Sequence, residues 1–326
     1  LLSSPLLNWS SSGVIYYFNI LAAVPSWAIE LYYSCQLASS GEDVRFLLRS
    51  DHDALMRDGL RVESVHGNFE VRPFPGFRST AGIGPVDLVI VAWKTTANEH
   101  LADVLPPLLH EKTQVITLQN GLGNCERISA LVGADRVLGG LCFVCSNRVG
   151  HGLVRHTAGG KVAIGEYRPG IPGRAEEIAR RFKAANIPAG AVGNLAKAQW
   201  EKLVWNIPFN GLSVAEGGVS TEALLARPEI EEEIRHLMGE VIGAANALGL
   251  PLEKSLIDFN IDRTRPMGPY RTSSMIDFVE GREVEVGPIW REPLSRAADA
   301  GYPMPHLGSL LGRIEQRLAE RPGTPS

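Results

Sequence analysis

Two hydrophobic rhythms divide this chain, and the change between them near Gly193-Asn194 constrains the fold more than any single motif. Before that point, short apolar runs alternate with helical patterns. Asn19 to Val24 reads as a strand, Ala28 to Ser40 as a helix closed by Gly41, and Asp43 to Leu48 as a second strand. A charged helix near Asp53 to Asp58 precedes a hairpin-like alternation from Leu60 to Val71. Asp87-Leu-Val-Ile-Val-Ala-Trp93 is apolar without interruption, as a parallel strand covered on both faces must be. Val115-Ile-Thr-Leu118 repeats that pattern and leads into a helix near Asn124 to Val132. Strands alternating with helices make βαβ units and a doubly wound sheet.

After Gly193-Asn194 the period is that of helices alone. Periodic stretches run over Ala196–Val214, Ile230–Leu248, Ser273–Glu280 and Pro288–Ala300, with Pro251, Pro266, Pro269 and Pro303 between them. The expected fold is therefore α/β, a Rossmann-like doubly wound parallel sheet followed by an all-α C-terminal domain. Residues 1–194 are expected to form the Rossmann-like domain, with 1–18 an irregular extension, and 195–326 the helical domain. The 326 residues, 44% hydrophobic, suffice for two cores.

Charge removes several function classes. The formal net charge of −4 is spread along the chain with no long basic run, which argues against nucleic acid and acidic membrane surfaces as partners. No uninterrupted apolar stretch reaches the about 18 residues of a membrane span. Leu1 to Ser12 has no Lys or Arg, so it does not read as a signal peptide. Four cysteines in a chain of this length make no disulfide framework and fit a reducing cytoplasm. Cys142 and Cys145 form a CxxC ahead of His151 and His156. On a strand, however, residues three apart face opposite ways, and the histidine spacing misses the zinc-finger pattern. No metal is expected.

An α/β half joined to a helical half suggests a dinucleotide enzyme with its substrate between domains. Lys202, Asn206 and Asn210 stand at i, i+4 and i+8, on one face at about 3.6 residues per turn. A solvated helix face would favour Lys and Glu, whereas here two carboxamides align with a lysine among Trp200, Leu203, Trp205, Ile207 and Phe209. An ammonium can protonate an oxyanion as hydride reaches its carbon, and asparagines can orient neighbouring oxygens. Pro208 removes the bond to the Val204 carbonyl and predicts a kink between the two asparagines.

Trp200-Glu-Lys202-Leu-Val-Trp-Asn206-Ile-Pro-Phe-Asn210 resembles the W-x-K-L-x-x-N-x-x-x-N helix of ketopantoate reductases. Thr272-Ser-Ser-Met275 and Glu280-Gly-Arg-Glu-Val-Glu285 are similar to that family's S-S-M…G-R-x-x-E segment. The resemblance implies Lys202 as general acid, Asn206 and Asn210 on substrate, Ser274 on its carboxylate and Glu285 on its hydroxyl. Glu283 competes with Glu285 for that place. Leu118-Gln-Asn120-Gly-Leu-Gly123 looks like the family's Q-N-G-x-G, which would set Asn120 beside substrate and nicotinamide; by itself it is also an ordinary Gly-rich turn. Lys94 matches the family's V-K after Leu88–Trp93, at the sheet edge where ligands bind, although lysines at strand ends are commonly solvated.

Arg49 closes the second strand where NAD-specific domains carry Asp or Glu. A guanidinium there accommodates the 2′-phosphate of NADP, so NADPH is the expected cofactor, with Asp51 adjacent. The family's phosphate-binding turn, G-x-G-A-x-G, is not kept. Ala28, Ile29 and Tyr33 fit, whereas Pro25, Trp27 and Glu30 replace its glycines and Ser34 a later one. An indole at Trp27 fills space the pyrophosphate needs, Glu30 brings like charge, and Pro25 fixes φ. The resemblance thus implies NADPH-dependent reduction of 2-dehydropantoate to (R)-pantoate, in the cytoplasm, by a chain compatible with a homodimer. Two alternatives stand beside it: a reductase of another branched 2-oxoacid, and a cofactor-free binding protein.

Overall fold

The computed structural model describes residues 19–23, 28–48 and 51–321, with side chains from residue 31 onward. The expected extension 1–18, together with Pro25, Trp27 and Arg49, lies outside the described residues, as does the side chain of Glu30.

The first part runs β1 (Asn19–Ala23), α1 (Ala28–Ser39), β2 (Asp43–Leu47), α2 (His52–Asp58), β3 (Leu60–Ser64), β4 (Phe69–Val71), β5 (Gly76–Phe77), α3 (Thr80–Ile83) and β6 (Leu88–Val91). A 3-10 turn, Thr95–His100, leads to α4 (Leu101–Val104). Then follow β7 (Gln114–Thr117), α5 (Asn124–Val132), β8 (Val137–Gly150), β9 (Leu153–Glu166), α6 (Arg174–Ala184) and β10 (Ala189–Ala191). The strands form one sheet in the order β4-β3-β9-β8-β7-β6-β1-β2-β5, with β10 on β9.

Its centre is parallel, as expected: β2, β1, β6, β7 and β8 run the same way. Leu88, Val89, Ile90 and Val91 of β6 are all at most 1% exposed, so both faces of this strand are covered. The sheet is nevertheless mixed. β8 and β9 form a long antiparallel hairpin, and β3 and β4 a short one. Along β9, Val154, His156, Gly160, Val162, Ile164 and Gly165 are buried, and Arg155, Thr157, Ala158, Gly159, Lys161 and Ala163 between them are exposed or half-buried. That pattern lacks the continuous apolar run that marks the central strands, so the sequence alone does not announce β9.

The second part is helical: α7 (Leu195–Ala215), α8 (Thr221–Leu225), α9 (Pro228–Ala247), α10 (Leu256–Thr264), α11 (Ser273–Val279), α12 (Glu292–Asp299) and α13 (Pro305–Ala319). A π-helical stretch, Gly287–Arg291, precedes α12. No strand occurs beyond Ala191 among the described residues. α7 stays one helix through Pro208. Its Trp200, Leu203, Val204, Ile207, Phe209 and Leu212 join a core with Ile234, Leu237 and Val241 of α9 and Leu307 and Leu310 of α13. The buried Glu240 carboxylate of α9 accepts from the His306 and Leu307 N–H groups at 2.8 and 2.9 Å, capping the first turn of α13 with negative charge. No helix among the described residues is long and apolar enough to cross a membrane.

By contacts the chain divides into two units. One comprises residues up to Gln119 and Asn124–Leu195; the other comprises Asn120–Gly123 and everything from Ala196. A four-residue loop from the sheet-bearing stretch of sequence is thus built into the helical unit.

Candidate active site

Lys202 is half-buried on α7, and its ammonium donates to Asn120 Oδ1 at 2.9 Å. The loop that brings Asn120 there is anchored in the helical core. Leu122 is 2% exposed, and its N–H donates to the Pro288 carbonyl at 2.9 Å. Gly121 passes so close to the π-helical stretch that a Cβ would collide with the Pro288 carbonyl, and its φ of 80° is one that L side chains rarely adopt. The glycine of Gln-Asn-Gly is therefore a requirement of docking.

One helical turn from Lys202 comes Asn206, and one further turn brings Asn210. Asn210 Oδ1 accepts from the Ser274 N–H at 3.1 Å and from Ser273 Oγ at 3.3 Å. Because Ser274 N–H can only donate, the Asn210 oxygen must face α11 and its amide hydrogens point elsewhere. Thr272 Oγ1 accepts from the Met275 N–H at 3.3 Å, so side chains satisfy two of the free N–H groups of this helix start. Ser274 is 3% exposed and held at a fixed place relative to α7. Asn206 is 7% exposed, and among the described residues no group hydrogen-bonds its carboxamide. A buried amide with unused donors and an unused acceptor is the kind of group a polar ligand completes.

Arg282 ties the segment after α11 back to it. Its Nε donates to buried Asp277 Oδ1 at 3.0 Å and its N–H to the Asp277 carbonyl at 2.8 Å. Of the two competing carboxylates that follow, Glu283 is exposed and Glu285 half-buried, just before the π-helical stretch. Local π-helix is frequent at functional sites.

Lys94 stands in the other unit, three residues beyond the end of β6. β1 pairs with β2 on one side and β6 on the other, so the strand order reverses at β1. Ligands of open α/β sheets bind at the carboxyl ends of strands at such a reversal, and Lys94 is half-buried there. Hydrogen bonds join Asn120 to Lys202 and Asn210 to Ser273 and Ser274. Arg49, Trp27 and the Glu30 side chain lie outside the described residues.

Sequence reasoning passed over Ser273, whose hydroxyl meets Asn210, and Asn98, which gave no sequence signal. Gln119 was part of the motif but carried no role. His156, considered with the CxxC, is 1% exposed. The Ser64 hydroxyl donates to its Nδ1 at 2.8 Å, and its Nε2–H donates to the Ala158 carbonyl at 2.9 Å, so both ring nitrogens are engaged. Burial holds its pKa below the ordinary histidine value, with nearby His66 adding to the shift.

Comparison with known proteins gives two family matches: ketopantoate reductase PanE/ApbA over residues 28–169, and the ketopantoate reductase PanE/ApbA C terminal over residues 194–317. The first begins just past Trp27. A 2-dehydropantoate 2-reductase of Nostoc sp. is 38% identical over 90% of this chain and 93% of its own. The crystal structure of 2-dehydropantoate 2-reductase from Geobacter metallireducens is 42% identical, with a TM-score of 0.89, covering 91% of this chain and 99% of that one. That of the Methylococcus capsulatus 2-dehydropantoate 2-reductase is 29% identical, with a TM-score of 0.85, over 94% and 100%.

Proposed function

The chain belongs to the ketopantoate reductase family, and we propose that it catalyses the NADPH-dependent reduction of 2-dehydropantoate to (R)-pantoate. It is an oxidoreductase of the 2-dehydropantoate 2-reductase class. The observation that carries the reading is the 2.9 Å bond from Lys202 Nζ to Asn120 Oδ1, on the α7 face that also holds Asn206 and Asn210.

NADPH, when bound, supplies the hydride that reduces the 2-oxo carbon. In this reading Lys202 delivers a proton to the oxygen on which negative charge grows, while Asn120 keeps the ammonium oriented. The Asn206 carboxamide, without a partner among the described residues, and the Asn210 amide hydrogens bind substrate oxygens. The Ser274 hydroxyl takes the carboxylate and Glu285 accepts from the substrate hydroxyl. On the cofactor side the strand reversal at β1 and the half-buried Lys94 fit a dinucleotide, and Arg49 would pair with a 2′-phosphate. Helical residues would carry a homodimer contact, read by light scattering, and the enzyme would work in the cytoplasm.

The replaced glycines favour one rival, a binding protein that keeps the substrate face but takes no dinucleotide. Titration with NADPH, followed through the fluorescence of the six tryptophans, separates the two. Saturable micromolar binding with turnover of 2-dehydropantoate is expected. No binding at millimolar cofactor would sink the reductase. Pro25→Gly, Trp27→Gly and Glu30→Gly together should tighten NADPH binding, and unchanged affinity would clear the turn of any part in it. Comparing kcat/KM across branched 2-oxoacids tests the substrate.

A further inference from the structure

Next to the loop that carries Asn120 in sequence runs a chain of amides, buried at Asn98 and Asn124 and half-buried at Gln119, that no step above uses. Asn98, in the Thr95–His100 turn, is 5% exposed. Its Oδ1 accepts from Gln119 Nε2 at 2.7 Å and from the Trp93 indole at 2.8 Å. Its Nδ2 donates to Asn124 Oδ1 at 3.1 Å. Gln119 Nε2 also donates to the Trp93 carbonyl at 2.9 Å, and its Oε1 accepts from Thr117 Oγ1 at 3.0 Å.

Gln119 and Asn124 are the residues on either side of Asn120–Gly123, and Trp93 is the residue before Lys94. One side chain therefore holds both stems of the loop. We propose that Asn98 is a positioning residue for the reaction, clamping the two ends of the Asn120–Gly123 loop so that Asn120 is fixed for Lys202. The proposal rests on the reading of Asn120 and Lys202 given above.

Packing does not explain an asparagine at this place. An apolar side chain of similar size would fill the space but remove one hydrogen-bond partner each from the Trp93 indole, a Gln119 hydrogen and Asn124 Oδ1. The loop itself needs external support. Gly121 and Gly123 both have positive φ, so half of its residues contribute no side-chain restraint of their own. Two stems tied to one amide shrink the conformational space that the loop must lose before Asn120 is in place.

Amide hydrogen exchange on the full chain tests the clamp without requiring activity. The Leu122 N–H, bonded to the Pro288 carbonyl, reports on the loop; the Leu118 N–H, bonded to the Val91 carbonyl, reports on the sheet. Asn98→Ala should speed exchange at Leu122 by about tenfold or more and leave Leu118 unchanged. Unchanged exchange at Leu122, or equal acceleration at both sites, overturns the proposal. Asn124→Ala cuts one stem alone and should give a smaller change with the same selectivity, which decides the matter should Asn98→Ala not fold. In turnover, Asn98→Ala combined with Asn120→Ala should lose no more kcat than Asn120→Ala by itself. Multiplying losses would mean that Asn98 does not act through Asn120. Full kcat in Asn120→Ala would remove Asn120 from the reaction and with it the proposed role of the loop, whereas the exchange result still decides the clamp.

Discussion

Two sets of hydrogen-bonding side chains in this protein differ in one respect. Around Asn98 the set is closed by protein groups: the carboxamides of Gln119 and Asn124 and the Trp93 indole each bond Asn98. Along α7 the set is open: Lys202 and Asn210 have protein partners, while Asn206 between them has none among the described residues. A closed network spends its directional bonds on shape and holds backbone in place. An open one keeps a buried donor and acceptor for something that arrives later. The first kind positions, and the second binds.

The largest effect expected from breaking this contrast is on the open side. Lys202→Ala should lower kcat by ~10²–10⁴, the range of a general acid, with NADPH affinity in a titration unchanged. A near-normal rate would remove the proposed proton donor. Asn206→Ala should come next, lowering kcat/KM for the 2-oxoacid about 10–100-fold through one lost bond to a charged or forming-charge substrate. Its melting midpoint should barely move, because truncation orphans no described protein group. Asn98→Ala should do the reverse in melting experiments, with a loss of about 1–3 kcal/mol from the hydrogen bonds it removes. Equal melting behaviour of the two alanine variants would erase the distinction between closed and open sets. Gly121→Ala should cost about 1–3 kcal/mol through its positive φ and the collision with Pro288, read in the same melts.

The smallest effect concerns His156, closed off in the same sense as Asn98. Burial lowers its folded pKa, so the folded chain keeps it neutral where the unfolded chain, near its ordinary value of about 6.5, takes up a proton. Its contribution to stability is full above the unfolded value and is lost as pH falls through the folded one. His156→Gln should therefore flatten the fall of the melting midpoint below about pH 6.5. An unaltered slope would assign that fall to other groups.

Much of this was legible in the sequence wherever the code is local. The continuous apolar run of β6 announced a strand buried on both faces, and the spacing of Lys202, Asn206 and Asn210 announced one helix face. The β8–β9 hairpin was not announced, since β9 alternates weakly and carries glycines. Nor could spacing choose between Glu283 and Glu285, which differ in burial rather than in type. Asn98 had no chance of notice: an asparagine in a short polar stretch looks like any turn residue until its neighbours are known.

By itself, then, the sequence determined the class of fold and the row of polar groups on α7, because helix and strand periods are set within a few residues. The tertiary structure alone decided that Asn120 meets Lys202 across 82 residues, that Asn210 fixes Ser274 across 64, and that Asn98 reaches Asn124 across 26. Such pairs obey no period. They exist because packing within each unit brings distant backbone within hydrogen-bonding reach, and a buried amide must then find its partner wherever the chain has put one.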